Sequence, residues 1–147
     1  FRGVPIEETS LVPYITINPR CLRKACFLTI RDALTNIQLA NEQSILNIAM
    51  TSLHKSKSRT VLVDFDIDDE FLHVEVLRER LVSILGEGNF SLLKTRGGVH
   101  ILVDPKKAIG HTWYIELKKQ FKIDKSGDGM IPVPFCNQGG FTPYFVN

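Results

Sequence analysis

The chain has 147 residues, 44% of them hydrophobic and 23% charged, which is the balance of a globular domain with one core and not of a disordered tail. Eighteen lysines and arginines against sixteen acidic residues leave a formal net charge of +2, which excludes a histone-like polycation but not an enzyme acting on nucleic acid. No apolar run is long enough to span a bilayer and the first residues do not form a secretory signal, so a cytoplasmic protein with no membrane partner is expected.

Tyr14 to Ile17 is β-branched and aromatic, is closed by Asn18-Pro19, and predicts a short strand. From Arg20 to about Leu53 apolar residues recur at helical spacing, predicting one or two amphipathic helices with a break near Asn41. Thr60 to Ile67 (TVLVDFDI) begins as an almost uniformly apolar, β-branched run, the mark of a central strand covered on both faces. Asp68 and Asp69 suit the cap and first turn of a helix running to about Leu85, Glu70 extends that acidic start, and Gly86 is the stop. Phe90 to Thr95 and Val99 to Val103 are strand-like and separated by Arg96-Gly97-Gly98, which predicts a hairpin. Pro105 opens a further helix that continues from Ala108 to Phe121, and two short β-like runs, Met130 to Val133 and Phe141 to Val146, follow.

The order β-α-β-α-β-β-α-β-β predicts an α+β fold, a mixed β-sheet backed by helices, rather than a doubly wound parallel sheet. No repeat or linker interrupts it, so residues 1–147 are expected to form a single domain, a fragment of a longer protein because the first residue is Phe1 and not Met. Cys21, Cys26 and Cys136 are odd in number and contain no CxxC pair, which fits neither a disulfide framework nor a zinc ribbon; reduced, mostly buried thiols are expected. The charge is segregated. Residues 61–90 hold eight acidic and two basic side chains, and the flanks on either side are basic.

Asp64 and Asp66 lie two apart on the predicted strand and so leave the same face of the sheet. Burying two carboxylates that repel each other is costly, and a hard divalent cation, Mg²⁺ or Mn²⁺, is the usual compensation; the plainer alternative is the solvent-facing end of a strand. In the hairpin, Gly97 and Gly98 allow a close backbone approach, and Lys94, Arg96 and His100 place donors around it, which suits a phosphate. Asp128, with Asp124 as its rival, offers a third carboxylate, although Ser126-Gly127-Asp128-Gly129 is also turn chemistry. The proline-punctuated Ile131 to Gly140 reads as a loop pinned near a site or as an edge strand with a tight turn.

These elements together resemble the archaeo-eukaryotic primase superfamily, in particular the primase-polymerases of plasmids, phages and other mobile elements. The family's hhhDxD/E strand is matched by Val61-Leu62-Val63-Asp64-Phe65-Asp66, and its small-x-His motif by Gly98-Val99-His100. Its later Asp is matched by Asp128, or by Asp124 after Ile123. Tyr14 to Arg20, ending in Asn-Pro-Arg, is similar to the family's early strand, and the segment 131–140 to its late proline-glycine stretch. Gly98 stands where serine is common, and PVPFCNQGG lacks the usual late basic residue.

The resemblance implies an RRM-like catalytic core and a metal-dependent nucleotidyltransferase, a DNA primase or primase-polymerase. Such an enzyme makes or extends primers on a single-stranded DNA template from nucleoside triphosphates. It implies Asp64, Asp66 and Asp128 as catalytic metal ligands for Mg²⁺ or Mn²⁺, and His100, Arg96, Lys94 and Gly98 around the incoming nucleotide. Arg20, Arg23 and Lys24, or Lys55, Lys57 and Arg59, are the candidate template contacts, and a helicase or other replication domains are the expected neighbours. Two alternatives share the DxD strand. In a haloacid-dehalogenase-type phosphatase Asp64 would be the nucleophile and Asp66 the general acid. An inactive primase-like domain would only bind nucleotide or nucleic acid.

Overall fold

The computed structural model describes residues 13–35, 42–69, 73–108 and 112–146. It divides into two compact units: Asn18–Val61, and a second that joins residues 13–17 to residues 62–146.

The first unit is a helix pair, α1 (Leu22–Thr35) and α2 (Glu42–Lys55). The two predicted helices are thus both present, and the break near Asn41 lies outside the described residues. Its ends are tied by backbone bonds from Cys21 N–H to the Ser56 carbonyl (3.0 Å) and from Ser58 N–H to the Pro19 carbonyl (3.0 Å). Arg20 donates to the His54 carbonyl at 2.7 Å, a basic side chain on a carbonyl of the last helical turn, where the helix dipole favours it. Arg20 therefore has a structural task here, while Arg23, Lys24, Lys55 and Arg59 are exposed.

The second unit holds β1 (Tyr14–Thr16), β2 (Val63–Ile67), α3 (Val74–Leu85), β3 (Phe90–Lys94), β4 (Val99–Val103), α4 (Trp113–Gln120), β5 (Lys125–Gly127), β6 (Met130–Pro132) and β7 (Tyr144–Val146). Five strands form one sheet in the order β5-β2-β4-β3-β7, and every ladder in it is antiparallel. From β2 to β5 the chain runs β-α-β-β-α-β, with each helix carrying it past one intervening strand. β1 and β6 form a separate two-stranded ribbon. The α+β class expected from the sequence is thus what the chain forms. Among the described residues there is no doubly wound parallel sheet, the scaffold that the phosphatase alternative requires.

Strand alternation sorts the side chains. Phe65, Ile67, Leu92, Val99, Ile101 and Val103 face the helices and meet Leu77, Leu81 and Leu85 of α3, spaced four apart, and Leu117 of α4. Trp113 stacks edge-on against Phe65 at 6.0 Å. The opposite face is covered only in part, where Ile131 of the ribbon packs on Leu93 and Leu102. Asp64, Asp66 and His100 lie on that second face, so β2 is apolar on one side only; β4, buried at all five positions, is the strand covered on both.

Several boundaries differ from those expected. Helix α3 begins at Val74 behind His73, not at Asp68. The Asp68 N–H is taken instead by the Asp124 carboxylate at 3.0 Å, which ties this segment to the sheet edge, and Glu70 lies outside the described residues. Pro105 belongs to a turn closed by Lys106 N–H on the Asp104 carboxylate (3.0 Å), and α4 starts eight residues later. Ser126 and Gly127, read from sequence as part of a turn over 126–129, belong with Lys125 to the strand that pairs with β2 as the sheet edge. The three cysteines are free as expected, but none is buried: Cys26 is exposed and Cys21 and Cys136 are half-buried. No helix among the described residues is long and apolar enough to cross a membrane.

Candidate active site

The register of β2 on β4 sets Asp66 opposite His100 and Asp64 opposite Leu102, so the two carboxylates and the imidazole share the face away from the helices. Asp64 is 6% and His100 8% exposed. His100 Nδ1–H points between the two carboxylate oxygens of Asp64, 3.1 Å from each, and Nε2 stands 3.7 Å from Asp66 Oδ1. The second distance is that of an ion pair and too long for a hydrogen bond.

Burial works against the imidazolium, but the hydrogen bond to Asp64 and the charges of Asp64, Asp66 and Asp68 outweigh it and raise the His100 pKa above its ordinary value. Burial also pushes the Asp66 carboxyl up; His100 opposes this, while the negative charges of Asp68 and Asp64 add to it. Both groups therefore hold protons more tightly in the fold than in the unfolded chain. The stabilisation from a raised pKa is complete below the unfolded value and is lost as pH rises through the folded one. The Asp66 share fades over a range that begins near pH 4, and the His100 share over one that begins near 6.5. In buffer free of divalent metal, the thermal midpoint should accordingly fall as pH rises from about 6 to 8. His100→Gln should flatten that slope; an unchanged slope in the variant would place the proton uptake elsewhere.

The cluster opens into a cavity of about 620 Å³, within the size range of small-ligand sites. Asp128 lines it, as do Asp68, Arg96 and Lys125. Gly129 makes room for the acidic pair, since a Cβ there would lie 3.0 Å from Asp64 Oδ2. The other candidates are placed differently. Asp124 holds the Asp68 backbone and does not line this cavity. Lys94 pairs with Val99, which puts its side chain with the helix-facing residues and away from His100. Gly98 closes the hairpin beneath the end of β2, and its neighbour Gly97 reaches the cavity.

Lys125 was not singled out from the sequence, and Asp68 was read there as a helix cap and not as a site residue. Asp68 continues the alternation of Asp64 and Asp66, and Lys125 lies opposite Asp66 in the β2–β5 ladder. Among the described residues no group of three or more His, Cys, Asp or Glu side chains is arranged to hold a metal ion. The donors nevertheless suit a hard cation in kind. Mg²⁺ is commonly bound by one or two carboxylates with substrate phosphates and water supplying the rest, and Asp66, half-buried among like charges, gains from any cation beside it. No family model matches the chain, and neither a curated protein nor a solved structure matches it.

Proposed function

We propose that the chain is a metal-dependent nucleotidyltransferase of the primase-polymerase type, adding nucleotides from nucleoside triphosphates to a primer on single-stranded DNA. The observation that carries the proposal is the convergence of Asp64, Asp66 and His100 on one sheet face, beside a cavity that also takes in Asp128, Arg96 and Lys125. The β-α-β-β-α-β path with strand order β5-β2-β4-β3 supports an RRM-like core, because it is the split β-α-β arrangement with one face left open.

Asp64 and Asp66, with Asp128, would hold Mg²⁺ or Mn²⁺; once bound, such ions activate the attacking hydroxyl and neutralise the charge that builds on the phosphates. His100 fixes the Asp64 carboxylate through Nδ1–H and presents Nε2–H as a donor to a phosphate oxygen. Arg96 spends one donor on the Gly139 carbonyl (3.0 Å), which anchors the guanidinium at the cavity and leaves its other N–H groups for phosphate. Lys125, beside Asp66 on the neighbouring strand, adds a point charge. Together these cations receive a polyphosphate at an otherwise acidic site.

Calorimetry with Mn²⁺ and a nucleoside triphosphate, followed by primer extension on a single-stranded template, tests the proposal. Mn²⁺-dependent triphosphate binding and extension are expected from the intact chain, with both lost in Asp66→Ala. Binding of neither metal nor triphosphate defeats the proposal. Binding of triphosphate and DNA without extension selects the non-catalytic primase-like domain.

A further inference from the structure

Phe135 is the most exposed large apolar side chain among the described residues, at 72%, and the single non-glycine residue among them with a left-handed backbone, φ +62°. A bulky L-residue is strained there, and glycine would make the same turn without that strain. The surrounding turn is held firmly. Phe135 N–H donates to the Pro143 carbonyl at 2.8 Å, the buried Gln138 amide to the Val133 carbonyl at 3.0 Å, and Arg96 to the Gly139 carbonyl at 3.0 Å. The ring meets Phe145 edge-on at 6.2 Å and remains open to solvent on most of its surface. Strain and exposure at one rigidly held aromatic are features of a binding surface, since neither adds to stability.

Two observations indicate what binds. Gln138, Gly139, Phe141 and Pro143 of this same turn line the candidate active site, which puts Phe135 on a segment that borders the cavity. The turn itself carries no charged side chain, and the charge that reaches it is the Arg96 guanidinium on the Gly139 carbonyl, which favours an anionic partner. A ligand that reaches from a phosphate-binding cavity onto an exposed aromatic ring, with a planar face and a negative backbone, is a single nucleic-acid strand.

We propose that Phe135 is a stacking platform for a base of the single-stranded DNA engaged by the candidate active site, with Arg96 beside it on the phosphates. The course of the strand rests on the nucleotidyl-transfer function proposed above.

The experiment is fluorescence anisotropy of the full chain with a labelled oligothymidylate and with an abasic oligomer of equal length, at fixed salt. Phe135→Ala should weaken oligothymidylate binding about tenfold, Phe135→Trp should restore it, and the abasic oligomer should not distinguish the variants. Phe135→Gly should lose affinity to the same extent while raising the thermal midpoint, a combination that a packing role would not produce. Undiminished binding by Phe135→Ala overturns the platform, as does an equal loss on the abasic oligomer or the capture of a protein partner at Phe135 with no oligomer bound. Triphosphate binding is measured separately, so a neutral Phe135 beside intact Mn²⁺-triphosphate binding removes the platform and leaves the active site standing.

Discussion

Asp66→Asn is expected to abolish nucleotide incorporation and, at pH 8, to make the fold more stable. The loss of activity follows from removing one of two adjacent carboxylates that would hold the cation at the reacting phosphates. A fall of about 10³-fold or more corresponds to ~4 kcal/mol of transition-state stabilisation. The gain in stability follows from the raised pKa: burial, together with Asp68 and Asp64, disfavours the ionised carboxylate more than His100 favours it. Asparagine keeps the shape and removes that charge. The difference in thermal midpoint should shrink as pH falls toward about 4, where the wild-type carboxyl takes up its own proton. Thermal unfolding from pH 4 to 8 in metal-free buffer measures this. Added Mn²⁺ should raise the midpoint of the wild type and leave the variant unchanged, since only a ligand that binds the folded state stabilises it. A variant that loses stability together with activity would make Asp66 a structural residue and take away the main support for a metal site.

Much of this geometry was legible in the sequence because it depends on local periodicity. Two residues separated by one on a strand must share a face, and a glycine-bearing hairpin must fold His100 back against a neighbouring strand. Asp64, Asp66 and His100 were found in that way. Lys94 shows how narrow the margin is. A strand ending at Thr95 with a three-residue loop would set Lys94 opposite His100. The hairpin closes instead through Thr95 N–H on the Gly98 carbonyl at 3.0 Å, so Lys94 lies opposite Val99 and its side chain moves to the other face. Lys125 was missed for a different reason. Lys125–Gly127 is a short, glycine-bearing edge strand whose composition favours a turn, and only its long-range ladder with β2 makes it a strand. Asp68 was assigned to a helix start by its capping chemistry, but the Asp124 carboxylate claims its backbone N–H. The misses at Lys125 and Asp68 turned on contacts between residues far apart in the chain, and the one at Lys94 on a single residue of hairpin register.

Gly98→Ser is expected to cost about 3 kcal/mol of stability, which for a chain of this size is a fall of roughly 6–12 °C in the thermal midpoint. The cause is space rather than torsion, because Gly98 is not among the glycines with positive φ. A Cβ at this buried position would collide with the Ile67 carbonyl oxygen, and would lie 2.9 Å from the Ile67 carbonyl carbon and 3.1 Å from Asp68 Cα. All three atoms are backbone at the end of β2, so no flexible side chain can give way. Gly97→Ala is the control. No atom lies within 4 Å of its added Cβ, and its stability should stay within about 0.5 kcal/mol of wild type. The site should suffer with the fold. Ile67 pairs with Val99 and Asp66 with His100, so prising the hairpin away from β2 draws Nδ1 from the Asp64 carboxylate. The serine common at this position in the primase-like motif therefore has no room on this backbone, and glycine here is what allows β2 and the hairpin to approach closely enough to bring His100 between the two aspartates. An unchanged midpoint in Gly98→Ser would show that the end of β2 can yield, and that the close approach is not what holds His100 in place.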